Sequence, residues 1–272
     1  MARVALPESK IRSRRRRRRL LAAALLAAAL LLIAGIALWL AQASFIRISR
    51  IDVYGTQTVA SSSVEAYAQS QLTGEYFYLF PKNNILLYPR ATIATGLLTA
   101  FPAFASARVQ AEDFRTISIR VVERQPKALW CGADVADPVP CFLLDEDGVA
   151  YGGALTFSGD AYTRYYGALT GSTTPKHYLN PAQFRSLSAL VDTIAESQKD
   201  EPLRSVWVDA SDDVHLAFAS GFTLLFTLSA DGGDVYQRLT LALQSDPFKS
   251  HKLSDFEYLD LRFGDKLYYK LK

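Results

Sequence analysis

Residues 45–55 read FIRISRIDVYG, and they mark where the folded part of the chain begins. Apolar and polar residues alternate around Ile51 and Val53, and Gly55 interrupts the run. An alternation with a period of two is typical of a strand that buries one face, and a glycine after it indicates a turn. We therefore predict a first β-strand here.

Two helices are predicted after this strand. Ser62, with Glu65 three residues later, has the pattern of a capping box, and Gly74 ends the helix that follows. Pro89 suits the first turn of a second helix, and Pro102 prevents that helix from continuing. Both segments carry apolar residues at helical spacing, which indicates that each buries one face.

A hairpin completes this part of the chain. Residues 105–111 and 117–121 both alternate between apolar and polar side chains, which predicts two strands joined by a turn. The aromatic stretch 75–89, between the two helices, is expected to be a loop that packs on the core. The predicted unit is therefore β-α-α-β-β from 45 to 125, with Pro126 at its far boundary.

The segment before the first strand is long enough to cross a membrane. No charged residue occurs at 20–46, and a hydrocarbon core of about 30 Å needs about 20 helical residues. We predict a transmembrane helix at 20–43 after a basic cytoplasmic tail at 1–19. A single-pass protein of this kind has its later domains outside the cytoplasm. This topology depends on six consecutive arginines: Arg14, Arg15, Arg16, Arg17, Arg18 and Arg19.

A cleaved signal peptide is the alternative interpretation of the same segment. Ala41, Gln42 and Ala43 resemble a cleavage site. The apolar run at 20–40 is longer than the 7 to 15 residues, roughly, of a signal-peptide core, which favours a retained anchor. The remainder of the chain is exported under either interpretation.

The distribution of charge argues against a nucleic-acid partner. The net charge is +3, but residues 1–19 hold nine Lys or Arg and one acid. The rest of the chain carries 21 basic and 26 acidic side chains, a net charge of −5. Because the basic excess lies beside the apolar segment, membrane topology and contact with anionic lipid account for it.

Cys131 and Cys141 are the only two cysteines. An even number of cysteines in an exported protein indicates a disulfide, and two buried free thiols are the alternative. A metal site is not predicted, because the two thiolates have no histidine partners nearby.

The second segment, 126–272, is predicted to be an α+β domain in which a sheet dominates. Residues 143–151 (LLDEDGVAY) form a hairpin with an acidic turn, and Asn180 before proline begins a helix. Three strands follow at 205–228 as an antiparallel meander. A second helix precedes a closing hairpin at 256–270 that turns at Gly264 and Asp265.

No catalytic pattern is visible in the sequence. His177, His215 and His251 are scattered, and His215 is expected to face solvent on a strand. The acidic turn at 145–147 is expected to be solvated rather than to bind calcium, because the ligand pattern is absent. We predict no enzyme, no cofactor, no metal and no small-molecule substrate. A site built from distant carboxylates stays open as the alternative.

The chain resembles the FtsQ/DivIB family of bacterial cell-division proteins. A membrane anchor, the I-x-V-x-G pattern at 51–55 and VVERQP at 121–126 are similar to a POTRA domain of that type. LLDEDGVAY and YLDLRF, at 258–263, resemble later strands of the same family. The resemblance implies a POTRA domain at 45–125 and an FtsQ-type β domain at 126–272.

The same resemblance implies a function. The chain would be a non-enzymatic, bitopic scaffold of the division machinery, held in the plasma membrane and concentrated at the septum. A membrane-anchored or secreted cell-wall enzyme is one alternative. A POTRA docking module in protein secretion or assembly is another.

The last predicted strand, 266–271, is a candidate partner-binding edge. An unpaired strand can take an incoming strand through its main-chain groups, and replacing Tyr268 by proline is expected to remove one of its donors. Lysines at 266, 270 and 272 suggest the opposite, a protected edge, and the residues alone leave both interpretations open.

Family resemblance favours the open edge, with partners of the FtsB (DivIC)/FtsL type. By motif position it implies contacts from Phe263, Gly264, Asp265, Lys266, Leu267, Tyr268 and Tyr269. Tyr258, Asp260 and Arg262 are predicted to be register or structural residues at the terminal strand. Asp260 and Arg262 are expected to hold the sheet or its partner in register through charged hydrogen bonds.

Overall fold

A computed structural model describes residues 9–136, 139–154, 161–171 and 175–272, with only the backbone of 9–15 and 40–41. The chain is an α+β protein with an apolar N-terminal helix and a large sheet, as predicted. It divides into two compact units. The first holds the chain up to Leu97 together with Ala107–Val121, and the second holds Leu98–Ser106 with Val122–Lys272.

Within the described residues, the α-helices are α1 (Ser9–Gln42), α2 (Ser61–Gln71), α3 (Arg90–Ala100), α4 (Pro181–Ser197) and α5 (Gly232–Gln244). The strands are β1 (Arg50–Tyr54), β2 (Glu75–Tyr76), β3 (Phe80–Pro81), β4 (Phe104–Ala111), β5 (Thr116–Glu123), β6 (Ala128–Trp130), β7 (Phe142–Leu144), β8 (Val149–Gly153), β9 (Arg164–Tyr166), β10 (Lys176–His177), β11 (Leu203–Val208), β12 (Asp213–Phe218), β13 (Thr223–Thr227), β14 (Phe256–Asp260) and β15 (Tyr268–Leu271).

Helix α1 contains a stretch, Arg16–Trp39, that is long and apolar enough to cross a membrane by length and composition. Its mean hydropathy is 2.8, and no part of it is buried. An exposed apolar helix of this length fits a membrane anchor. Arg16 to Arg19 begin the stretch with exposed side chains, whereas the side chains of Arg14 and Arg15 lie outside the described part of the chain.

The first unit is built on β1, which runs parallel to β5, and β5 lies between β1 and β4. Ile51 pairs with Ile117 and Val53 with Ile119, so apolar residues of both strands lie side by side. Gly55 ends β1 at φ +91°, and a Cβ there would lie 2.0 Å from a backbone oxygen of β5. Only glycine fits this close approach, which explains the I-x-V-x-G pattern.

Two local expectations for this unit were wrong. Helix α2 begins at Ser61 with Ala60 as its N-cap and no side-chain cap, so Ser62 is already inside the helix and cannot form a capping box. The aromatic stretch after α2 is not packed throughout. β2 and β3 pair as a short ladder, and the turn between them carries Phe77 and Tyr78 into solvent.

The second unit contains a sheet with the strand order β10-β8-β7-β6-β9-β11-β12-β13-β14-β15. The predicted meander is confirmed, because β11, β12 and β13 pair antiparallel. Side chains of α4 and α5 join those of the sheet in one apolar core. The predicted start of α4 is also confirmed: the Asn180 side chain accepts a hydrogen bond from the Gln183 N–H, and Pro181 is the first helical residue.

Near the start of this unit, the structure joins Cys131 and Cys141 in a disulfide between β6 and β7. The acidic turn that follows differs from the prediction at Asp145, which is buried rather than solvated. Asp145 forms an ion pair with Arg124 and accepts the N–H groups of Asp147 and Val149. The carboxylate therefore holds the turn together, which requires burial.

Candidate functional site: the terminal hairpin

The terminal hairpin, residues 256–271, forms one end of the ten-stranded sheet. Tyr258 of β14 pairs with Thr223 of β13 on one side and with Lys270 of β15 on the other. Strand β14 is mostly buried, whereas all four residues of β15 are exposed. Within the described residues no strand pairs with the outer side of β15, so this strand offers an edge.

The backbone of β15 presents alternate amides to this edge. The Lys272 N–H donates to the Asp255 carbonyl at 2.9 Å, toward β14. In an antiparallel ladder the direction of the N–H alternates from residue to residue, so those of Lys270 and Tyr268 also face β14. The amides of Tyr269 and Leu271 therefore face outward. Proline at 268 would break the hairpin itself, contrary to the expectation from sequence.

The residues predicted from motif position to contact a partner, 263–269, lie together on the loop before β15 and on its first half, and all are exposed. We define the edge patch as the large apolar or aromatic side chains of this region. It consists of Phe263, Leu267, Tyr268, Tyr269 and Leu271. Successive side chains of a strand point to opposite faces of the sheet, so Tyr268 lies on one face of β15 and Tyr269 on the other. An incoming strand would therefore find aromatic side chains of β15 on both faces.

Aromatic contacts fix the orientation of the edge patch. The Phe263 and Tyr268 rings meet edge-on at 5.2 Å between centroids. Tyr269 packs edge-on against Phe248 and Phe256, which stack on each other at 4.1 Å. Phe248 and Phe256 are buried, so they connect β15 to the core of the unit.

Arg262 sits at the centre of a charged network behind the hairpin. Its Nε donates to Asp260 Oδ1 at 2.9 Å and its Nη2 to Oδ2 at 2.6 Å, a two-pronged contact. Its Nη1 reaches Asp213 Oδ2 on β12 at 2.5 Å. The network therefore joins β14 to a strand two positions away in the sheet.

The protonation of these groups follows from their contacts. Burial alone would raise the pKa of Asp260, but hydrogen bonds and charge from Arg262 outweigh it and hold that pKa below its usual value. Hydrogen bonds to Asp260 and Asp213 raise the pKa of Arg262. Both partners are therefore charged at neutral pH.

Arg238 of α5 also holds the hairpin, and the sequence analysis missed it. Its Nη1 donates to the Leu261 carbonyl at 2.9 Å and its Nη2 to the Lys266 carbonyl at 3.2 Å. It thereby bridges both ends of the loop that precedes β15. The one available signal was its place three residues after buried Val235 and next to buried Leu239, near the apolar face of the helix.

Two of the lysines expected to guard the edge interact with their own chain. Lys270 Nζ pairs with Glu257 at 2.5 Å, and Lys272 Nζ donates to the Ser220 carbonyl at 2.8 Å. Each ammonium group is turned toward a neighbour in the same unit. This arrangement favours an open edge over one protected by charge.

Elsewhere in the second unit, His215 differs from the expected solvent-facing residue. Its ring packs on Trp207 with 4.7 Å between centroids, and its Nε2 lies 3.1 Å from Asp209 Oδ2. Burial would raise the pKa of Asp209, but hydrogen bonds from His215 and from backbone N–H groups lower it overall. The pair stabilises the turn between β11 and β12.

The carboxylates of the second unit are engaged in structural contacts where they converge. A depression of about 350 Å³ is lined by Glu123 and the acidic turn. In it Asp145 pairs with Arg124, and Asp147 pairs with Arg185 at 2.5 Å. Over the described part of the chain, no group of three or more His, Cys, Asp or Glu side chains is placed to hold a metal ion.

Comparison with known proteins gives a partial match. No family model matches the chain. Over 71 residues it is 38% identical to a protein of Mycobacteroides abscessus named "Cell division protein FtsQ". The match covers 26% of this chain and about a fifth of the length of that curated relative, at 21%. The chain is therefore similar to FtsQ over a limited segment.

Proposed function

We propose that this chain is a membrane-anchored scaffold of the bacterial division machinery, of the FtsQ type, and that it performs no catalysis. In this proposal α1 is a retained single-pass anchor with the arginine-rich end in the cytoplasm. The POTRA domain occupies 45–125 and the FtsQ-type β domain occupies 126–272. Both domains lie outside the cytoplasm, and the protein gathers at the septum.

The observation that carries this proposal is the exposed edge strand β15. Its outward amides and the edge patch together offer main-chain hydrogen bonds and apolar contacts to an incoming strand. Partners of the FtsB (DivIC)/FtsL type add such a strand here. The partial similarity to a cell-division protein supports the choice of this partner class.

The proposed POTRA domain at 45–125 draws support from its element order. A strand, a helix, a short ladder, a second helix and two strands follow one another, and the first strand pairs with the last. In the proposal this unit helps to recruit the protein to the division site.

A pair of variants at Leu271 tests the strand addition. Leu271→Pro removes one outward amide, whereas Leu271→Ala keeps the amide and shortens the side chain. In a pull-down with the FtsB/FtsL-type partners of the same cell, we expect the proline variant to lose capture. The alanine variant should retain most of it. Equal capture by both variants would refute main-chain pairing at this edge.

The division role is tested in living cells. A fluorescent protein fused to the cytoplasmic amino terminus should gather at midcell, and the same fusion without residues 264–272 reports whether the edge is needed for recruitment. A uniform membrane signal from the full chain would contradict the division role. It would favour the cell-wall enzyme or the secretion module.

A further inference from the structure

Exposed aromatic side chains cluster around the end of α1 in the first unit. Phe45 lies three residues after the end of the helix and is exposed. Phe77 and Tyr78, at the tip of the β2–β3 turn, are 85% and 96% exposed, and Phe114 is exposed in the turn between β4 and β5. We call Phe45, Phe77, Tyr78 and Phe114 the aromatic collar.

The collar is attached to the chain that leaves α1. The Ile48 N–H donates to the Asn83 carbonyl at 2.8 Å, so the segment just after the β2–β3 ladder pairs with the exit segment. The Ser49 N–H donates to the Arg115 carbonyl at 2.8 Å, which attaches the turn that carries Phe114. Both aromatic turns are therefore held within a few residues of the helix end.

Three of the four collar residues line depressions that also include residues at the end of α1 or just after it. Gln42, the last residue of α1, and Tyr78 line one depression. Phe45 and Phe114 line another. Tyr78 and Phe114 thus lie near the chain that leaves α1, on two turns that are far apart in the sequence.

The backbone at the tip is unfavourable for the residues that occupy it. Phe77 has φ 52° and Tyr78 has φ 59°, in the left-handed region that glycine or asparagine adopts far more readily than an aromatic residue. Neither ring is buried, so packing within the protein does not account for them. Strained residues of this kind are found where they make a functional contact.

Basic side chains are interspersed with these rings. Arg47, Arg50 and Arg115 are exposed, and Arg47 Nη2 donates to the Gln42 carbonyl at 3.0 Å, beside the last turn of α1. Aromatic and basic residues at the end of an apolar helix are typical of the membrane–water interface. There the rings lie among headgroups, and the cations reach phosphate.

We propose that the aromatic collar inserts into the outer leaflet of the membrane around the exit of α1, with the neighbouring arginines at the phosphate level. This inference rests on the proposed role of α1 as a membrane span. The contact fixes the first unit against the lipid surface, so the unit is held by the β2–β3 and β4–β5 turns as well as by α1.

The experiment uses the full chain in vesicles of phosphatidylcholine and phosphatidylglycerol. Tyr78→Cys carries an environment-sensitive fluorophore, and some of the lipids carry a spin label near the headgroup. The matched control is Ser62→Cys, exposed at the far end of α2, about 15 Å along the helix from its collar end. We expect blue-shifted emission that spin-labelled lipid quenches at position 78, and unquenched emission at position 62.

Two other outcomes would overturn the proposal in different ways. If the chain resists alkaline extraction but the fluorophore at position 78 is as unquenched as the one at position 62, α1 is still a membrane anchor and the collar does not insert. If alkaline extraction releases the chain from the vesicles, the proposed anchor fails, and the lipid contact fails with it.

Discussion

Replacing Arg262 by methionine should destabilise the second unit, because it removes the cation from a network of two carboxylates. Asp260 is only 5% exposed, and its carboxylate accepts two hydrogen bonds from the Arg262 guanidinium. Methionine retains the apolar stem without the charge. Asp260 then keeps one backbone donor, the N–H of residue 262 at 3.0 Å, and Asp213 loses its ion pair.

The magnitude follows from the burial of these groups. Removing one partner of a buried ion pair costs about 3–5 kcal/mol. The Arg262 side chain is 28% exposed, so water compensates in part, and we expect a loss of about 3 kcal/mol. For a unit of this size that corresponds to a fall in melting temperature of roughly 6–12 °C.

The difference in stability between the native protein and Arg262→Met should depend on pH in one direction. In the native protein the pKa of Asp260 is lowered, so its stabilising contribution is full at neutral pH and is lost as pH falls through that pKa. In the variant burial is no longer opposed by Arg262, so the pKa of Asp260 rises. The variant is then less stable than the native protein at neutral pH, and it recovers stability as pH falls and Asp260 takes up a proton. The difference between the two proteins should shrink toward about pH 4.

Urea unfolding of the full chain in detergent micelles, followed by tryptophan fluorescence, measures this difference. The matched control is the double variant Asp260→Asn with Arg262→Met, which removes the uncompensated buried charge. It should be more stable than Arg262→Met alone at neutral pH. A loss below about 1 kcal/mol, or one that does not change between about pH 7 and pH 4, would refute the reasoning.

Three further predictions concern other parts of the chain. Gly55→Ala should lower the free energy of unfolding, measured by thermal denaturation, by about 2–4 kcal/mol, because the backbone there is left-handed and the added Cβ clashes with β5. Gly74→Ala has open space around the added Cβ, so it should lower the free energy of unfolding by only about 1–2 kcal/mol. The intact mass of the non-reduced chain should lie about two daltons below that of the thiol form if Cys131 and Cys141 are paired, and equal masses would contradict the disulfide. Arg238→Met should speed amide exchange in β15 while β11–β13 stay protected, and exchange that accelerates equally in all of them would indicate general unfolding instead.

Elements with strong local signals could be predicted from the sequence. Helix α4 has Asn180 before Pro181 and an apolar face, and strands β12 and β13 of the meander alternate cleanly between buried and partly exposed residues. These patterns depend on neighbours in the sequence, so a single chain suffices to find them. The closing hairpin was predicted on the same grounds, with its turn at Gly264.

The features that could not be predicted depend on residues far apart in the sequence. Asp213 contacts Arg262 across 49 positions in the sequence. Arg238 of α5 donates to main-chain carbonyls of the terminal hairpin. Burial of Asp145 depends on Arg124, 21 positions away. The outward direction of the amide at 271 follows from the register of β15 on β14. No local pattern encodes these relations, because they are consequences of packing.

The network and the open edge together bear on how a partner would bind. Arg238 and Arg262 hold the loop and strand that flank β15, and the Tyr269 ring is fixed against the core. An edge fixed in this way needs little further ordering when a strand arrives, so the entropic cost of association falls mainly on the partner. Loosening the hairpin at Arg238 should therefore weaken binding without removing any intermolecular hydrogen bond. Leu271→Pro removes such a bond and leaves the hairpin ordered, so the two variants separate preorganisation from contact.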